Sequence, residues 1–132
     1  MNKLYDVSDL LGRILISVIF IMAGWSKIGG YAGTQGYMES MGVPGMLLPL
    51  VIATELGGGL LVLFGLWTRV AAFALAGFSL LAGVLFHFKP DDQMQMMIFM
   101  KNFAIAGGFL VLVAHGAGAL SLDRWLARRK TP

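Results

Sequence analysis

Four apolar windows occupy most of this chain, and their length is what most restricts the folds open to it. A helix rising 1.5 Å per residue needs about 20 mainly apolar residues to cross a hydrocarbon core about 30 Å thick. Residues 10–28, 47–67, 70–88 and 97–114 meet or approach that length. Gly29-Gly30 closes the first window, Pro44 and Pro49 open the second, and Lys89-Pro90-Asp91-Asp92 parts the third from the fourth. Only Thr68 and Arg69 join the second to the third, which predicts a tight hairpin. The expected fold is all-α: a polytopic membrane protein, a four-transmembrane-helix bundle forming one domain over residues 1–132. Composition agrees. Charged residues make up 13% of the chain, against roughly 25% in a soluble domain. Too little polar surface remains to cover a water-facing globule, so lipid must cover the rest. A chain of 132 residues leaves no room for a soluble catalytic domain beside four spans.

The distribution of lysine and arginine predicts orientation. One side of the membrane receives Lys3, Arg13, Arg69, Arg124, Arg128, Arg129 and Lys130, and the other receives Lys27, Lys89 and Lys101. The richer side is expected to be cytoplasmic, with both termini inside (N-in/C-in) and segments 29–46 and 89–96 outside. The first window is read as a span and not as a signal peptide. It is long for such a segment, follows Asp6 and Asp9, and precedes three more windows. Trp25, Tyr31, Tyr37, Trp67 and Trp125 fall near the expected interfaces. Tyr37, Met38 and Met41 can share one side of a short interfacial helix. Leu122, Trp125 and Leu126 alternate with Arg124, Arg128 and Arg129, which predicts an amphipathic tail helix capped by Ser121. The net charge of +3 comes largely from this tail, which suits an anionic membrane surface and not nucleic acid.

Helices in lipid gain little from hydrophobic burial and associate through small residues. Gly57-Gly58-Gly59, Gly77, Gly83 and Gly107-Gly108 are expected to supply such contacts. Ionisable side chains within a span cost about 2.5–3.5 kcal/mol each, so they need partners or a polar cavity. Helical spacing places Arg13, Ser17, Phe20, Gly24 and Lys27 on one face of the first span. It does the same for Glu55, Gly59, Val62 and Leu66 in the second, and for Ala76, Leu80, Gly83 and His87 in the third. In the fourth it groups Lys101, Gly108 and His115, with Asn102 one position round. By depth, Lys27, Glu55, His87, Lys101 and Asn102 gather in the outer half and form the candidate ligand-binding cluster. A second reading of the same residues is a buried ion pair that only fixes helix register.

Other chemistry is constrained. No cysteine is present, which excludes disulfides, thiol nucleophiles, thiolate-held clusters and c-type haem attachment. His87 and His115 end the third and fourth windows on opposite sides and cannot ligate one iron. No His, Asp and Glu set has metal-ligand spacing. Met94, Met96, Met97 and Met100 form a thioether group that could suit a soft metal such as Cu(I), but adaptable packing is the expected role, and no metal site is expected.

Three stretches carry a resemblance. Phe20-Ile-Met-Ala-Gly24-Trp-Ser-Lys27-Ile28 ends the first span. Glu55-Leu-Gly-Gly-Gly59 is followed by Gly65-Leu-Trp-Thr-Arg69. Lys101-Asn102 and Gly107-Gly108 precede Gly116-Ala-Gly118-Ala-Leu-Ser121-Leu-Asp123. In order and spacing these resemble the DoxX family of small bacterial membrane proteins, over nearly the whole chain. The resemblance implies a four-helix bundle in the bacterial inner membrane, with Lys27, Glu55, Lys101 and Asn102 as its polar centre. It fixes no activity, but relatives include a membrane subunit of thiosulfate:quinone oxidoreductase and others associated with oxidative-stress complexes, which points to a redox or stress-response system. The family often has Gly-Pro-Gly where this chain has Gly116-Ala117-Gly118, so a looser turn is expected before Ser121. The resulting expectation is a membrane component binding a quinone or small sulfur species, with electrons from a soluble redox enzyme or another membrane subunit. The alternatives are a non-enzymatic scaffold or assembly factor and, last, a transporter, for which no repeat is visible.

Overall fold

A computed structural model describes residues 3–130, and the side chain of Lys130, counted above for orientation, lies outside the described residues. Helix α1 covers Lys3–Gly29 and α2 covers Tyr31–Ser40. Helix α3 runs over Gly45–Phe64, α4 over Thr68–His87, α5 over Gln93–His115 and α6 over Leu122–Lys130. No strand occurs among the described residues. Of these helices α1, α3, α4 and α5 are long and apolar enough to cross a membrane. Only 11–33% of their apolar windows is buried inside the protein. Side chains such as Leu15, Val70 and Phe73 point outward, and an apolar surface of this extent requires lipid.

The core is narrow. Phe20 of α1, Val62 of α3, Leu75 of α4 and Phe109 of α5 meet at its centre, with Ala71, Ala72, Ala76 and Ala106 between them. The Phe20 and Phe109 rings pack edge to face with centroids 5.4 Å apart. Small residues set the helix spacing. A Cβ on Gly24 would fall 2.8 Å from Leu56 Cβ, and one on Gly59 would fall 2.9 Å from Ile21. The glycines are not all packing sites, however. Gly58, Gly83 and Gly108 face close neighbours, whereas Gly57, Gly77 and Gly107 face open space.

The expected face of α1 is found, with Arg13, Ser17, Phe20 and Gly24 buried. So is that of α3, with Glu55, Gly59 and Val62 buried. In α4, Ala76 and Gly83 of the expected face are buried, but Ser79 is buried in place of the expected Leu80, which is turned outward. In α5 the stripe through Lys101, Gly108 and His115 is exposed, and Asn102, Ala106 and Phe109 face inward. This corrects the expected face by one position. Helix α5 is apolar around its whole circumference, so hydropathy sets no phase, and a lysine stem gains most by lying along the outside.

Helix α3 ends at Phe64, three residues short of the expected 67, because Gly65 and Trp67 both take positive φ (+70° and +47°). Asp123 closes this turn by accepting hydrogen bonds from the backbone N–H of Trp67 (2.8 Å) and Thr68 (3.0 Å). Beneath it the guanidinium of Arg13, 1% exposed, donates to the carbonyls of Val62 and Leu63 at 3.2 Å and to that of Leu120. The last carbonyls of a helix have no partner within it, and Arg13 supplies one. The turn before Ser121 is not loose. Gly116 and Gly118 hold φ of +76° and +87°, and a Cβ at Gly118 would lie 2.8 Å from the Asp9 carboxylate. Ser121 donates to the Gly118 carbonyl and accepts from Arg124 N–H, the expected cap of α6. These contacts tie the start of α1 to the C-terminal segment, so both termini lie at one end of the bundle. The opposite end is called distal below.

Candidate functional site

In the distal half a cavity of about 270 Å³ lies among α1, α2, α3, α4 and α5. Its walls are mainly apolar, with Phe20, Phe78 and Phe86 prominent. Its polar lining includes Lys27, Glu55, Ser79, His87 and Asn102. Four of the five cluster residues expected from the sequence therefore share one cavity.

Each polar group arrives from a different local structure. Lys27 sits in the last turn of α1, where the helix dipole favours a cation. Its Nζ lies 2.7 Å from Glu55 Oε1, and Glu55 is 5% exposed. Glu55 belongs to a π-helical segment, Ala53–Gly57, inside α3. His87 ends a second one, Gly83–His87, at the distal end of α4. Such insertions widen the helix and are frequent at functional sites. A triple glycine adjoins the first segment and Gly83 opens the second. Glycine's low helix propensity makes departure from α geometry least costly at such places. Gly83 also lets α5 approach, since a Cβ there would fall 3.3 Å from Asn102 Cβ. Asn102 Nδ2 donates to the Ser79 carbonyl at 3.2 Å, which fixes this amide in the cavity wall. His87 Nδ1 is held 2.8 Å from Gln95 Oε1 on α5.

Lys101 is not part of this arrangement. It is exposed on α5 and does not line the cavity. The methionines are not part of it either. Met94, Met97 and Met100 are at least 60% exposed on α5, and none of the four lines the cavity. Among the described residues, no group of three or more His, Cys, Asp or Glu could hold a metal ion. His115 lies at the terminal end, among residues such as Arg69 and Gly116.

Sequence reasoning missed several contributors. Ser79 lines the cavity with a hydroxyl that is buried and has no protein partner. Its position three residues after Ala76 was as good a helical match as Leu80, and no further signal chose between them. Tyr37 of α2 stacks on Phe86 of α4 with centroids 5.6 Å apart, and Met38 beside it is 4% exposed. Helix α2 is the short helix expected there, and it turns Tyr37 and Met38 onto the distal side of the cavity.

The ion pair comes from residues 20–28 and 55–59, two of the stretches that carry the resemblance, which also supply Phe20 and Ala23 to the cavity. The family model for DoxX matches residues 8–88. The chain belongs to the DoxX family. The matched segment contains Lys27, Glu55 and His87 and ends before Asn102. Inner membrane protein YqjF of Escherichia coli (strain K12) is 55% identical over 129 residues, covering 98% of this chain and 99% of the relative. Inner membrane protein YphA of the same organism is 38% identical over 122 residues, covering 87% of each. CatD of Bacillus subtilis (strain 168), whose name proposes an oxidoreductase, is 40% identical over 134 residues, covering 98% of this chain and 95% of the relative. No solved structure matches at a significant level. With four apolar helices and inner-membrane relatives, this DoxX protein is a multi-pass protein of the inner membrane.

Proposed function

We propose that this DoxX protein is the membrane component of a redox or stress-response system and holds a quinone head group in the distal cavity. The observation that carries the reading is the Lys27–Glu55 ion pair inside a cavity otherwise walled by aromatic and aliphatic side chains. Small-molecule sites have this make-up: mostly apolar walls with a few convergent polar groups. The pair is electrically balanced, which favours a neutral ligand. A small sulfur anion is the poorer fit, because the cation that would attract it already faces a carboxylate. Lys27 retains ammonium hydrogens to donate to a ring carbonyl, and the aromatic walls offer faces for a flat ring. Glu55 is placed to take up or release a proton beside the ligand. A quinone, when bound, supplies the capacity to accept electrons, and a soluble redox enzyme or another membrane subunit supplies the electrons. The excess of basic residues at the terminal end supports a cytoplasmic location for that end, with the cavity in the outer half of the membrane.

The test is titration of the purified protein with a benzoquinone. Glu55→Gln and Asn102→Ala should each weaken binding about tenfold, equivalent to about 1.4 kcal/mol. Lys101→Ala should leave it unchanged, because Lys101 is exposed outside the cavity. Unchanged binding in both Glu55→Gln and Asn102→Ala would refute the site. Absence of binding by the unaltered protein would favour a scaffold in which the ion pair only sets helix register.

A further inference from the structure

A second cavity of about 180 Å³ adjoins the first. The two share Met38, Val51, Phe78, Ala82 and Phe86 as walls. Their chemistry differs. The first contains the Lys27–Glu55 pair, Asn102 and His87, whereas the second is lined by aliphatic and aromatic side chains and one threonine. That residue, Thr54, spends its hydroxyl on the Leu50 carbonyl at 2.8 Å, so it adds no free polar group. The second cavity is therefore an apolar groove between α3 and α4. Its rim includes Leu50 from α3 (64% exposed) and Leu81 and Leu85 from α4 (59% and 41%). In a membrane-spanning helix pair, exposure of this kind is exposure to lipid chains. On the distal side, by contrast, α2 covers the site through buried Met38 and the Tyr37–Phe86 stack. The polar cavity is thus covered towards water by α2 and extended towards the bilayer by the groove.

We infer that the ligand of this site is an amphiphile: a flat hydrogen-bonding head occupies the polar cavity, and an apolar chain leaves between α3 and α4 into the bilayer. This rests on the reading of the polar cavity as a ligand site and names the class of molecule it takes. Small-ligand pockets span about 300–1,000 Å³, a range that the polar cavity alone falls just short of and the joined cavities reach. A chain in the groove meets only apolar walls, so its transfer from the bilayer leaves no polar group unpaired. Loading is lateral, from the membrane, and a water-soluble metabolite has no such path.

The experiment compares two probes on the purified protein in lipid nanodiscs: a decyl-substituted benzoquinone and the same ring without the chain. Leu81→Trp and Leu50→Trp fill the groove from opposite helices. Both positions are exposed, so neither disturbs the core. Comparing variant with unaltered protein for one probe cancels partition into lipid. The chain-bearing probe should bind each variant at least tenfold more weakly than the unaltered protein, while the chainless ring should change less than twofold. Equal binding of the chain-bearing probe to variants and unaltered protein would overturn the groove assignment and leave the polar site standing. Loss of both probes alike in the variants would also overturn it, because the groove would then not act on the chain. Failure of both probes to bind the unaltered protein would defeat the reading of the site itself, and the groove with it.

Discussion

Replacing Arg13 with methionine should loosen the terminal end of the bundle. Methionine keeps much of the apolar stem and removes every donor. Three carbonyls lose the guanidinium donor: Val62, which keeps the Gly65 N–H, Leu63 at the end of α3, and Leu120 ahead of α6. A polar contact between membrane helices contributes about 0.6 kcal/mol on average and at most about 1.7. Three such contacts give about 2–5 kcal/mol. Release of a guanidinium held at 1% exposure recovers part of its desolvation cost, which places the net loss near 3 kcal/mol. The unfolding equilibrium constant should then rise by roughly two powers of ten. Arg13→Lys should lose an intermediate amount, since one ammonium does not match a planar fork reaching two segments. Reversible denaturant titration in mixed micelles, followed by tryptophan fluorescence and helicity, measures both. A loss below about 0.5 kcal/mol for Arg13→Met would refute the claim that this side chain clasps α1, α3 and the C-terminal segment together, since that is less than a single contact of average strength.

Other expectations follow from particular contacts. Gly24→Ala should destabilise by about 1–3 kcal/mol in the same titration, because its Cβ would meet Leu56 at 2.8 Å. Gly77→Ala, with nothing within 4 Å, should be neutral or stabilising. The chain contains no cysteine, so single cysteines report topology cleanly. In intact cells a membrane-impermeant maleimide should label Gly33→Cys in α2 and spare Arg128→Cys in α6. The reverse pattern would invert the proposed orientation.

Much of the architecture was legible because lipid imposes few alternatives. Window length and the glycine and proline punctuation reappear as helices and turns. The expected tight hairpin is present too, but it turns at Gly65–Trp67, and Thr68 and Arg69 already belong to α4. The Arg13–Gly24 stripe was readable because polar and small residues recur there at helical spacing among bulky ones. The same logic failed in α5, where apolar residues surround the helix and a lysine is content to face outward along its stem. It failed again at Ser79, where spacings of three and four from Ala76 are equally helical. The π-helical segments at Ala53–Gly57 and Gly83–His87 carry no periodic signature, yet they hold Glu55 and His87 at the cavity. The roles of Arg13 and Asp123 depend on segments about 50 or more residues away in the chain. As isolated letters they read only as charges near a membrane surface.

The most direct measurement is photolabelling of the protein in nanodiscs with an azido-benzoquinone, followed by peptide mapping. The account predicts labels on the cavity walls around Phe20, Phe78 and Phe86, suppressed by excess unlabelled quinone and reduced in Glu55→Gln. Competable labels confined to the terminal end, around Thr68 and His115, would contradict it.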